Sequence, residues 1–113
     1  MINVYTAEKI LEESHDGQGF LRKVRAYQSN DFSTNIDFID YIEVPPGVTI
    51  GHHQHANNEE IYFIVEGTGQ MGIEDRVLTV ESGNVIVNPV YGSHSLINTS
   101  QAVMKVFIFQ VSK

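Results

Sequence analysis

The rhythm of hydrophobic and polar positions changes once along the chain, near Gly19. Before it, Ala7, Ile10 and Leu11 fall on one helical face, Thr6 stands where a cap would, and Glu8 sits in the first turn. This pattern predicts a short N-terminal helix over residues 7–14. His15, Asp16, Gly17, Gln18 and Gly19 read as a turn whose two glycines supply backbone conformations that other residues disfavour. Beyond it come short β-type runs broken by Gly, Pro, Asn and Asp: residues 20–28, 36–44, 48–55, 60–65, 69–73, 76–80, 84–88, 94–98 and 103–111. Nine short strands with no long helix predict an all-β sandwich or closed barrel. Residues 61–65 and 103–108 are apolar on both faces, which suits strands with one face in a core and the other covered by a partner subunit. The punctuation predicts a strand break at Pro45, Pro46 and Gly47, a tight hairpin at Glu66, Gly67, Thr68 and Gly69, and another at Ser82 and Gly83.

At 113 residues the chain is expected to form one domain, 1–113. With 42% hydrophobic and 19% charged residues it has the composition of a chain that folds throughout. No apolar run approaches the roughly 20 residues that span a bilayer, and no basic stretch leads into an apolar one at the N-terminus, so no membrane association is expected. Cysteine is absent, which excludes disulfides, thiolate metal sites and a cysteine nucleophile; a cytoplasmic location is the default expectation. The formal net charge is −7, and no basic cluster exceeds Arg22, Lys23 and Arg25, so nucleic acid is not an expected partner.

The chemistry concentrates in a few side chains. His53 and His55 lie two apart in a β run and share a face, while His52 and Gln54 take the other. Glu60 opens the next run after the polar bend Ala56, Asn57, Asn58 and Glu59, and His94 comes from a third segment after Pro89 and Gly92. Three imidazoles and a carboxylate make an N/O site suited to one divalent Mn, Fe, Co, Ni or Zn ion, with coordination positions left for water or substrate.

The spacing resembles the cupin superfamily. Its first motif is matched by Gly47, His53, His55, Glu60 and Gly67, and its second by Gly83, Pro89, His94 and Asn98, with Tyr91 standing where the family has a glycine. The stretch GHHQHANNEEIYFIVEG is also similar to small single-domain, manganese-binding cupins described as oxalate-decarboxylase-like. The resemblance implies a jelly-roll β-barrel, a metal ion inside the barrel mouth with manganese favoured, and a homodimer.

Each residue also has a plainer reading. His53 and His55 taken alone are a solvent-facing polar pair, and Glu59 is a solvated turn residue. Tyr62 shares a face with Glu60, so it either lines the pocket as a catalytic candidate or packs as a core tyrosine. Arg22 and Arg25 read as solvated or paired before they read as anion-recognising, and His15 reads as surface loop before it reads as folding over the barrel mouth. Asn98 is expected to serve turn and packing.

The functional expectation is a metal-dependent enzyme, decarboxylase- or dioxygenase-like, acting on a small oxygenated or carboxylic-acid substrate, with sugar isomerisation as a further option. A proton donor would come from Glu43, Tyr62, Tyr91 or His15. The alternative is a non-catalytic cupin that binds or senses a small ligand; no DNA-binding helix-turn-helix follows the last strand, which weighs against a stand-alone regulator.

Overall fold

Strands of alternating character need an apolar face to bury and backbone partners for every N–H and C=O, and two packed antiparallel sheets supply both. A computed structural model describing residues 1–113 has this arrangement. The ten strands are β1 (Ile10–Glu12), β2 (Leu21–Gln28), β3 (Ile36–Val44), β4 (Thr49–Gln54), β5 (Asn58–Glu66), β6 (Thr68–Ile73), β7 (Arg76–Glu81), β8 (Val85–Asn88), β9 (Ser93–Ile97) and β10 (Met104–Ser112). One sheet has the order β1-β2-β3-β10-β5-β8 and the other β4-β9-β6-β7, with every pairing antiparallel.

The core lies between the sheets and follows the period-2 pattern. On β10, Met104, Val106 and Ile108 are buried while Lys105 and Phe107 between them are only half-buried. They pack with Ile42 and Val44 of β3, Tyr62 and Ile64 of β5, and Ile50, Met71 and Leu96 of the opposing sheet. One end of the sandwich is closed by Asn98, fully buried, whose Nδ2 donates to the carbonyls of Val44 (2.8 Å) and Ala102 (2.7 Å). Its backbone also pairs with Gly47 and Val48, so the break at Pro45, Pro46 and Gly47 is tied to the end of β9. The opposite end opens into a cavity of about 410 Å³.

The segment 7–14 is not a helix: Ile10, Leu11 and Glu12 pair with Lys23, Arg22 and Leu21 as an edge strand. A helical stripe this short cannot repay its own nucleation in water, whereas the free edge of β2 offers ready backbone partners. Lys23 and Glu12 add an ion pair across that edge.

Two of the expected turns have the right place and the wrong partners. The bends at Gly67 and at Ser82–Gly83 do not close hairpins; each carries the chain from one sheet to the other, since β5 and β8 lie in the six-stranded sheet and β6 and β7 in the four-stranded one. Gly67 takes φ +93° and a Cβ there would come within 3.0 Å of Met104 Cα, so the crossing is tight against β10. The bend before Glu60 is likewise a crossing, from β4 to β5. Among these neighbours β6 and β7 form a true hairpin, closing at the Ile73–Arg76 pair.

Candidate metal centre

The site is built where the two sheets separate at the open end. Strict alternation through β4 would set His53 and His55 on the face opposite Val48 and Ile50, which are core residues. A bulge removes the conflict: Ile50 pairs with Leu96 and His53 with His94, so Gly51 and His52 together face one residue, Ser95. The extra residue reverses the parity of the strand, and Ile50 and His53 both point inward. His52 is exposed, as expected. Beyond β4, the His55 backbone N–H donates to Gly92 O (2.8 Å), which holds the second histidine against the loop before β9.

His53, His55, Glu60 and His94 converge, with one potential ligand atom from each lying within 4.8 Å of all the others. His55 Nε2 and His94 Nε2 are 2.7 Å apart, and Glu60 Oε1 lies 3.2 and 3.1 Å from them. These separations are close to the roughly 3 Å expected between adjacent ligands of an ion bound at about 2.1 Å. Two of the three imidazoles are oriented from behind, while the buried Nδ1 of His94 has no partner. His53 Nδ1 donates to Gly51 O (2.9 Å) and His55 Nδ1 to Asn58 Oδ1 (2.8 Å), which leaves both Nε2 lone pairs facing the centre. Asn58, which sequence reasoning placed in a mere bend, thus fixes a histidine. His94 is 1% exposed.

The fit to a cation is also electrostatic. Glu60 Oε1 is buried beside two imidazoles yet is aligned for a hydrogen bond with neither. Burial pushes the Glu60 carboxyl up, but His55 and His94 outweigh it and bring it down to about 2, so it is ionised at neutral pH. Burial lowers His53 to about 4, leaving a neutral imidazole with a free lone pair. The contact with Glu60 raises His55. One carboxylate and inward-facing lone pairs around a shared centre are what a divalent ion neutralises.

The remaining candidates divide. Tyr62 is 2% exposed, lines the cavity, and meets His94 edge-on with ring centroids 5.4 Å apart. Burial, then the charge of Glu60, holds its phenol well above the usual range and therefore protonated. Arg25 lines the cavity too, and it is paired: Nε and Nη2 meet the two carboxylate oxygens of buried Asp40 at 2.9 and 3.0 Å, and the guanidinium lies over Phe38 at 4.4 Å. Arg22 is exposed outside the cavity. Two proton-donor candidates lie away from the cavity: Glu43 accepts a bond from Tyr41 OH, and Tyr91 is 61% exposed, neither lining it. Tyr91 takes φ +57°, which explains why a glycine suits that position. Glu59 lies within β5 and is half-buried, not in a solvated turn. His15 is exposed in its turn, as a surface loop would have it, but its ring also lines the cavity and is stacked on His53, centroids 3.5 Å apart and planes 8° from parallel.

The chain is similar to several known proteins. It is 33% identical over 63 residues to an uncharacterized protein of Methanocaldococcus jannaschii, covering 56% of this chain and 50% of that one. It is 33% identical over 58 residues to an oxalate-binding protein of Thermotoga maritima, covering 51% and 48%. The chain thus spans about half the length of these curated relatives. Among solved structures, a predicted oxalate decarboxylase from Thermotoga maritima superposes with a TM-score of 0.96 at 18% identity, over 100% of this chain and 99% of that one. The polyketide cyclase RemF from Streptomyces resistomycificus superposes at 0.82 with 12% identity, over 100% and 74%; likeness at these identities concerns the fold. The model of the cupin domain (Cupin_2) matches residues 40–109, from the inner strand β3 through the four converging ligands to β10, and the chain belongs to the cupin family.

Proposed function

We propose that the chain binds one divalent transition metal ion, with manganese favoured, through His53, His55, Glu60 and His94, and acts on a small oxygenated or carboxylic-acid substrate as a decarboxylase- or dioxygenase-like enzyme. The observation that carries this reading is the triangle formed by His55 Nε2, His94 Nε2 and Glu60 Oε1, with edges of 2.7, 3.1 and 3.2 Å. When bound, such an ion supplies Lewis acidity toward a carboxylate or carbonyl oxygen and, for a redox metal, electron exchange with O₂.

The chain's own residues supply the rest. Arg25, held by Asp40 and Phe38, lines the cavity and serves as an orienting group for an anionic substrate. Tyr62 is the proton-donor candidate on position, because it lines the cavity with Glu60 and meets His94 edge-on. The volume of about 410 Å³ accommodates a substrate larger than oxalate.

A homodimer is supported by the outer face of the six-stranded sheet. There Ile61 pairs with Val87, and Phe63 with Val85, in adjacent rows, with Phe63, Val85 and Val87 all exposed. Light scattering of the purified protein checks this; a monomer at working concentration contradicts it.

Elemental analysis of purified protein is expected to give close to one transition metal per chain, and the His53→Ala/His55→Ala double variant close to none. Full metal content in that variant would mean other groups are the ligands. Oxygen uptake by the loaded protein favours an oxygenase, CO₂ release without it a decarboxylase, and tight ligand binding without turnover the sensor reading.

A further inference from the structure

Five histidines occur in the chain, and the metal reading uses three of them. His52 is exposed on the outside of the β4 bulge. His15 is placed with care that its position in a polar turn did not suggest. Ser14–Asp16 form a single 3-10 turn in which His15 (φ 51°, ψ 46°) and Asp16 (φ 57°) both adopt left-handed backbone, which L-residues disfavour. Gly17, by contrast, has φ −72° and needs no special freedom; a Cβ there would meet Thr49 O at 2.4 Å. The turn is pressed flat on β4. Gln18 N–H donates to Thr49 Oγ1 (2.7 Å), Thr49 N–H returns a bond to Gln18 O (2.9 Å), and a Cβ on Gly51 would lie 2.0 Å from His15 O. Two strained residues and two glycines at contact points therefore deliver one imidazole face to face onto His53, at the wall of the cavity.

Parallel stacking decides what that imidazole can do. An ion held on the Nε2 lone pair of His53 lies in the plane of that ring. The His15 plane runs alongside it, so the in-plane lone pairs of His15 pass over the ion rather than pointing at it, and His15 stands outside the group of converging ligand atoms. His15 lines the same cavity as His53, His55 and Glu60, so a group held beside those residues would lie within reach of the His15 ring. Neither ring nitrogen of His15 has a hydrogen-bond partner within the protein, so both remain available.

We propose that His15 is a ligand-contacting residue of the metal site: it hydrogen-bonds through a ring nitrogen to the water or anionic oxygen or nitrogen donor that occupies the ion's open position, without ligating the ion. This rests on the metal reading above and adds a specificity element to it. The turn makes the contact part of the fold, because the same stacking that positions His15 also shields one face of His53.

The test uses the full chain loaded with Co(II), in wild-type, His15→Ala and His15→Gln forms. Metal per chain is read by elemental analysis after equilibrium dialysis, and sodium azide is then titrated while the visible Co(II) bands are followed. All three proteins are expected to hold one Co(II). The azide dissociation constant is expected to rise about tenfold in His15→Ala, and less in His15→Gln, whose amide restores a hydrogen-bonding group. Unchanged azide affinity in His15→Ala overturns the proposal, as does loss of Co(II) with the imidazole, which would make His15 a ligand. A loaded wild-type protein that takes no azide overturns it too, leaving the metal reading standing. A wild-type protein that takes up no metal overturns the metal reading itself.

Discussion

Replacing Gly51 by alanine tests whether the bulge and the His15 turn are one unit. The added Cβ would lie 2.0 Å from His15 O, 3.0 Å from His15 C and 3.1 Å from Gly17 N. Since an ordinary contact begins near 3.4 Å, the turn must retreat by about 1.4 Å or β4 must bow inward. Retreat stretches the two hydrogen bonds between Gln18 and Thr49. Overpacking of this kind costs about 1–3 kcal/mol, and each weakened bond adds about 1 kcal/mol. Reduced freedom of the unfolded chain gives back about 0.4–1 kcal/mol. The net loss is about 2–5 kcal/mol, which at about 4 °C per kcal/mol lowers the melting temperature of the metal-free protein by about 8–20 °C. Circular dichroism melts of Gly51→Ala and of a control, Gly47→Ala, measure it. Gly47 has nothing within 4 Å of its would-be Cβ and has φ +78°, so the control reports backbone strain alone, about 1–2 kcal/mol. A Gly51→Ala protein that melts with the wild type, or above the control, would refute the idea that the turn is seated on the bulge.

Other expected outcomes follow from single contacts. Asn98→Ala strands the Val44 carbonyl in the closed end of the sandwich, while Ala102 O keeps Ser100 Oγ as a donor, and it is expected to lose about 1–3 kcal/mol in urea unfolding; a loss under about 0.5 kcal/mol would show that water replaces the amide. Arg25→Ala leaves the Asp40 carboxylate, 7% exposed, without its cation, so the single variant is expected to be less stable than Arg25→Ala/Asp40→Asn. Equal or lower stability of the double variant in chemical denaturation would contradict the pairing argument. For pH, burial lowers His53 from 6.5 to about 4, so the unfolded chain binds the proton more readily. The stabilising effect of its neutral form is present above about 6.5 and is lost as pH falls toward about 4. Metal-free His53→Gln is therefore expected to lose less melting temperature than the wild type over that interval, and parallel curves would count against it.

Much of this protein was legible from order along the chain. Period-2 alternation located the strands to within a few residues, because side-chain direction in a strand is a local property of the backbone. The same locality marked His53, His55, Glu60 and His94, whose spacing survives any uncertainty about how the strands are arranged, and it placed His52 outside. Tertiary structure decided what depends on partners distant in sequence. Whether Gly67 closes a hairpin or crosses between sheets is settled by where β10 lies, close to forty residues later. Whether residues 10–12 join a helix or an edge strand is settled by the open side of β2. The Gly51–His52 bulge was hidden because the metal pattern and the core pattern in β4 demand opposite parity, and either is self-consistent alone. Arg25 could be named as a charge, but its bidentate partner Asp40 lies on the neighbouring strand. His15 lay in a turn that sequence reads as surface, and only its seating on Gly51 brings the ring to His53. Local sequence sets which way each side chain can point, and long-range packing sets what it meets there.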